Sequence, residues 1–115
     1  MTGLDGLNPT SGALVLGLVQ ARVPNVGESA DLKATAERLA DVVKRAKKGM
    51  AAIDLVVMPE YSINGLDPDT WLDDSLLCDR DGPEMTLLAD ACREAGVWGC
   101  FSIMERNPDG APWNS

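Results

Sequence analysis

An α/β fold with a parallel core is predicted by three features of the sequence. Apolar runs at 13–20, 55–58 and 97–104 have the length of strands that are buried. Two segments of helical periodicity lie between them, each followed by a glycine, Gly49 and Gly96. Strand–helix–strand–helix–strand order makes successive strands parallel neighbours joined by right-handed crossovers.

Taken in order, residues 1–12 mix Gly, Asn, Pro, Ser and Thr with isolated leucines and read as a flexible N-terminal arm. The first strand follows at 13–20 and forms one unit with the rest of 13–115. Val23 to Gly27 is a loop rich in turn residues. Ser29 or Asp31 can cap a helix running to about Lys48. On it Leu32, Ala36, Leu39, Val43 and Ala46 share one face, while Lys33, Glu37, Asp41, Lys44 and Lys48 share the other. The basic group Lys44, Arg45, Lys47 and Lys48 matches the negative end of the helix dipole, and Gly49 supplies the stop.

The second strand, 55–58, ends at Pro59, which cannot donate to a sheet ladder. After Gly65, Asp67 and Pro68 suggest a short helical turn. Residues 73–82 hold four aspartates and read as surface loop, with Leu76 and Leu77 turned inward. A second helix starts at Pro83, buries Leu88, Ala91, Cys92 and Ala95, and stops at Gly96. The third strand spans 97–104, and Asn107-Pro108-Asp109-Gly110 is a turn leading out to Ser115.

Composition narrows the function. The 115 residues make at most one domain, with a formal net charge of −8 that argues against nucleic acid or an anionic membrane as partner. The sequence has no histidine, which rules out a Ser-His-Asp triad or a His-ligated metal within it. Cys78, Cys92 and Cys100 lack CxxC spacing and suit a reducing compartment better than a disulfide framework. No run is long and apolar enough for a membrane span.

Glu60 is the candidate for chemistry. It stands just past the carboxyl end of a buried strand, where open α/β sheets place their crevice, and apolar neighbours there would raise its pKa towards proton-transfer duty. Tyr61 beside it is either a pocket wall or an ordinary aromatic of the core. Trp71, Trp98 and Trp113 read as packing residues. Cys92 and Cys100 read as small core residues, and Cys78 sits in an acidic loop that disfavours its thiolate.

The stretch DLVVMPEYSING, residues 54–65, resembles the glutamate motif of the carbon–nitrogen hydrolase (nitrilase) superfamily, in its aliphatic amidase and formamidase branch. The block VWGCFSIMERNP, residues 97–108, is similar to the same branch. The segment from Gly65-Leu66 to Trp71-Leu72 looks more like formamidases than the broader aliphatic amidases.

That resemblance implies the N-terminal part of a nitrilase-like αββα sandwich. It implies hydrolysis of formamide or another very short amide, with Glu60 as general base. A cysteine thiolate would attack the carbonyl and a lysine would stabilise the oxyanion. No residue of this sequence matches either the lysine or the cysteine, so the 115-residue chain is expected to be inactive alone. An incomplete, inactive fragment is the non-enzyme alternative. The resemblance further implies no metal or organic cofactor, a small amide as partner, a homo-oligomer and a cytoplasmic location. The segment by itself is expected to leave a sheet edge and part of a helix-covered face unfilled.

Overall fold

A computed structural model describes residues 12–115. The arm expected over 1–12 lies outside the described residues except for Gly12. The element order is β1 (Leu16–Leu18), α1 (Ser29–Gly49), β2 (Leu55–Val57), α2 (Pro83–Ala95), β3 (Trp98–Cys100), β4 (Met104–Glu105) and β5 (Trp113–Asn114). Two 3-10 turns, Pro68–Thr70 and Asp74–Leu76, lie between β2 and α2. β1, β2 and β3 form a parallel sheet in that order, as anticipated.

The register of the sheet sorts its two faces. Gly17, Val56 and Gly99 are paired across the three strands and face the helices. Val56 is fully buried, and a Cβ at Gly99 would collide with Cys92 of α2 and with Phe101. α1 packs on this side through Leu32, Ala36, Leu39 and Val43, and α2 through Leu88 and Ala91, all buried. The neighbouring registers, Leu16–Leu55–Trp98 and Leu18–Val57–Cys100, face the other way. There Leu16, Leu18 and Trp98 are 51%, 72% and 78% exposed. The helix-covered face is filled at the central strand, where Val56 is buried. It stays open at the edge strand, where Gly99 is exposed beside a cavity lined by Met85, Cys92, Val97 and Phe101. The other face carries the exposed Leu16, Leu18 and Trp98. Trp98 and Cys100, expected in the core, lie on it because strand alternation turns them away from α2.

Helix ends follow local chemistry with small shifts. Glu28 rather than Ser29 is the N-cap of α1, and Asp31 Oδ2 accepts from the N–H groups of Gly27 and Glu28 at 2.9 and 3.1 Å. Gly49 is the last helical residue and Met50 is the cap, its N–H donating to Ala46 O. The basic end of α1 is used structurally. Lys47 Nζ donates to the carbonyls of Ala51 and Ile53 at 2.6 and 2.9 Å, and Lys44 pairs with Glu94 of α2 at 2.9 Å. α2 starts at Pro83 and ends at Gly96 with φ +72°, a left-handed position suited to glycine.

The expected third strand is split. β3 stops at Cys100, and 104–105 instead pairs antiparallel with 113–114. The turn between them is closed by Asn107, whose Oδ1 accepts from Asp109 N–H and whose Nδ2 donates to Ala111 O. Among the described residues no helix is long and apolar enough to cross a membrane.

Candidate functional site at the carboxyl end of the sheet

β2 ends at Val57, and Met58 N–H still donates to Cys100 O at 2.9 Å. Pro59 breaks the ladder there, and the chain turns through Glu60, Tyr61, Ser62 and Ile63. Tyr61 has φ +53°, the only non-glycine residue with positive φ among those described. That conformation carries strain, and three contacts hold it. Tyr61 N–H donates to Ser102 Oγ at 3.0 Å, Tyr61 O accepts from Gly65 N–H at 2.9 Å, and its ring lies 4.8 Å from that of Trp71. Trp71 Nε1 also donates to Gly65 O at 3.3 Å. Gly65, φ +79°, is pressed so closely on Pro24 O that a Cβ would come within 2.7 Å of it.

Beneath this turn lies a buried amide. Asn64 is 3% exposed. Its Nδ2 donates to Leu76 O at 2.7 Å, and its Oδ1 accepts from Met104 N–H at 2.9 Å and from Cys78 Sγ at 3.8 Å. One side chain thus joins the turn after β2 to the acidic loop and to β4. Arg106 secures the loop from outside, pairing with Asp74 at 2.7 Å and Asp79 at 3.0 Å and donating to the carbonyls of Asp74 and Leu77. Its bonds to Asp79 and Asp74 raise its pKa. Glu105, only 6% exposed, meets Arg80 at 3.2 Å.

Glu60 itself is exposed. Its Oε1 accepts from Asn114 Nδ2 at 2.8 Å. Residues 12–115 therefore give it an amide partner rather than the apolar walls expected. Tyr61 is half-buried against Trp71. The cysteines stay apart from such chemistry. Burial pushes the Cys78 thiol up to about 12, with Glu84 adding to the effect, and burial also raises Cys92. All three cysteines are free, and no cluster of candidate metal ligands occurs among the described residues.

The family model for carbon–nitrogen hydrolase matches residues 15–115. The chain belongs to the carbon–nitrogen hydrolase family. Relatives of this hydrolase segment include a formamidase of Bradyrhizobium diazoefficiens, 48% identical over all 115 residues. A formamidase of Allorhizobium ampelinum is 41% identical over the same length, and one of Bacillus cereus is 42% identical over 110 residues. The segment spans about a third of the length of these curated relatives: 34% of the first and 33% of the other two. Saccharomyces cerevisiae Nit3, a member of branch 10 of the nitrilase superfamily, superposes with a TM-score of 0.67 at 19% identity. That match covers 89% of this chain and 38% of the Nit3 chain, and places the α/β arrangement within the nitrilase fold.

Asn64, Ser102 and Arg106 lie within the two motif blocks, yet they and Asn114 were given no role in the sequence-based picture of the site. The turn at 107–110 was the available signal for the last two: flanked by two short segments, it can close a hairpin as well as lead out of the fold.

Proposed function

We propose that this chain is the base-bearing N-terminal segment of an amide hydrolase of formamidase type. Its substrate class would be formamide or a very short aliphatic amide, released as carboxylate and ammonia. The observation that carries the reading is Glu60, held at the carboxyl end of β2 with one carboxylate oxygen bonded to Asn114, in a chain 48% identical to a named formamidase. In this reading Glu60 takes the proton of a cysteine thiol as that sulfur attacks the amide carbon. It returns the proton to the departing amine, and then activates water against the thioester. A lysine stabilises the oxyanion. Cys78 and Cys92, with raised thiol pKa values, are poor sources of that nucleophile, and Tyr61 beside Glu60 would wall the substrate pocket. A homo-oligomer in the cytoplasm completes the reading, and the three free cysteines suit such a compartment.

The test is a graft. Residues 1–115 replace the matching segment of the Bradyrhizobium diazoefficiens formamidase, and ammonia release from formamide is measured. Activity is expected in the graft, with a loss on the order of 100-fold or more for Glu60→Gln, and none in the 115-residue chain alone. An inactive graft that is nevertheless folded, or an active Glu60→Gln graft, would contradict the proposal.

A further inference from the structure

The amide that meets Glu60 comes from far along the chain. Asn114 lies in β5, 54 residues after the acid. β5 is held on β4 by the pairs Met104–Asn114 and Glu105–Trp113 and by reciprocal bonds between Ile103 and Ser115 at 2.8 and 3.0 Å. β4 is in turn pinned to the turn after Glu60 through Met104 N–H and Asn64 Oδ1. Glu60 and Asn114 thus sit on two arms joined by the same buried side chain.

Three hydrogen bonds link the arms head to tail, leaving the Glu60 turn at Tyr61 and returning to it at Glu60. Tyr61 N–H donates to Ser102 Oγ at 3.0 Å. The hydroxyl then directs its own proton to Asn114 Oδ1 at 3.4 Å. With Oδ1 facing the hydroxyl, Nδ2 must face Glu60, and it donates to Oε1 at 2.8 Å. The flipped amide would set two acceptors against each other. Each donor in such a line polarises the next.

A glutamate on an exposed turn has many rotamers to choose from. A charge-assisted bond from a fixed amide is strong enough to select one. It also divides the two oxygens by task, because an oxygen occupied by a donor is the poorer place for an incoming proton. We propose that Asn114 is a positioning residue for Glu60: it selects the rotamer of the carboxylate and reserves Oε2 for proton transfer, with Ser102 orienting the amide. The proposal rests on Glu60 being the base of the formamidase-type reaction, and Asn114 itself touches no reacting atom.

The test has two parts. In the 115-residue chain, NMR follows the side-chain amide protons of Asn114 as the pH is lowered through the carboxylate range. They are expected to shift, to stop shifting in Glu60→Gln, and to go on shifting in Glu105→Gln. A resonance at the position of an unstructured asparagine, or one indifferent to Glu60→Gln, overturns the proposal.

In the formamidase graft, Asn114→Ala is expected to lower kcat on the order of 10- to 100-fold with KM little changed. Asn114→Asp keeps the shape and the β5 pairing but sets a second carboxylate against Glu60. It is expected to be slower than the alanine variant at neutral pH and to recover on acidification, when the protonated acid can donate again. A residue serving only β5 would give the reverse order, because Asp preserves its shape. A silent wild-type graft, with the amide still reporting Glu60, overturns the formamidase reading and leaves the Glu60–Asn114 link standing. An active graft in which Asn114→Ala keeps its kcat overturns the positioning role.

Discussion

The side of the sheet under the helices and the turn beyond β2 are both well buried, by opposite means. Under the helices, Leu32, Leu39, Val43, Val56 and Leu88 interlock and hardly a polar atom is involved. Beyond β2, Asn64 holds three segments together with directed bonds to Leu76, Met104 and Cys78, and a backbone at φ +53° is kept in place at Tyr61. The first region can adjust a side chain by a few tenths of an ångström and lose little. The second cannot, because a buried donor or acceptor either has its partner or lacks it. Directed bonding is what a carboxylate needs if one oxygen is to be aimed, so the polar region is the natural bearer of Glu60.

The largest expected effect sets one region against the other. Asn64→Ala orphans two buried backbone groups, Leu76 C=O and Met104 N–H, at about 1–3 kcal/mol each. Leu39→Ala removes a fully buried apolar side chain from α1 and is expected to cost about 2–5 kcal/mol. Urea denaturation of the two variants should therefore show equal or greater destabilisation for Asn64→Ala. A loss below about 1 kcal/mol there would mean that water replaces the amide, and the contrast between the regions would fail.

Next in size is Gly65→Ala. The residue has φ +79°, and a Cβ would lie 2.7 Å from Pro24 O, a backbone atom that cannot swing aside. A cost of about 1–3 kcal/mol is expected from the backbone conformation, with the collision added. In the formamidase graft this variant should also lose activity, since the turn that carries Glu60 has to shift. Gly49→Ala is the control on the helical side. Nothing lies within 4 Å of its added Cβ, so a neutral or slightly stabilising change is expected.

The same contrast decides what could be read from the sequence. α1 and α2 were legible almost to the residue, because a 3.6-residue period, an acidic first turn and a terminal glycine are local signals. Parallel order followed from strand–helix–strand connectivity, and the position of Glu60 just past the carboxyl end of β2 followed from Pro59. The hairpin of β4 and β5, the buried Asn64 and the partner of Glu60 were not legible. Each depends on a pairing across 8 to 54 residues, and an asparagine carries no mark of which distant group it will meet. Exposure of Trp98 was missed for a related reason: alternation says that Trp98 and Gly99 face opposite ways, but not which face receives the helices.

Titration offers a gentler probe of the polar region. The Cys78 thiol is raised by burial from 9.0 to about 12. Above about pH 9 the unfolded chain releases this proton while the native chain keeps it, so unfolding gains. The contribution of Cys78 to stability is complete below pH 9 and is lost as the pH climbs towards 12. Urea midpoints should accordingly fall over that window, and fall less in Cys78→Ala. At neutral pH, alkylation should reach exposed Cys100 first and buried Cys78 last. Early labelling of Cys78 would show that the region opens before the helical side does.

The smallest expected effect has the opposite sign. Ser62 is 2% exposed, and its Oγ has no hydrogen-bond partner among the described residues, although the neighbouring Tyr61 N–H and the Asn64 amide do find partners. An unpartnered buried hydroxyl costs desolvation and returns nothing. Ser62→Ala removes that oxygen and keeps the Cβ in place. A change between neutral and about 1 kcal/mol more stable is expected, read as an unchanged or raised urea midpoint. The site thereby separates two kinds of polar residue on a single turn: Asn64, whose bonds the fold requires, and Ser62, whose hydroxyl the fold of these residues does not use. Destabilisation by Ser62→Ala would show that the hydroxyl does bond, and that the polar region is satisfied throughout.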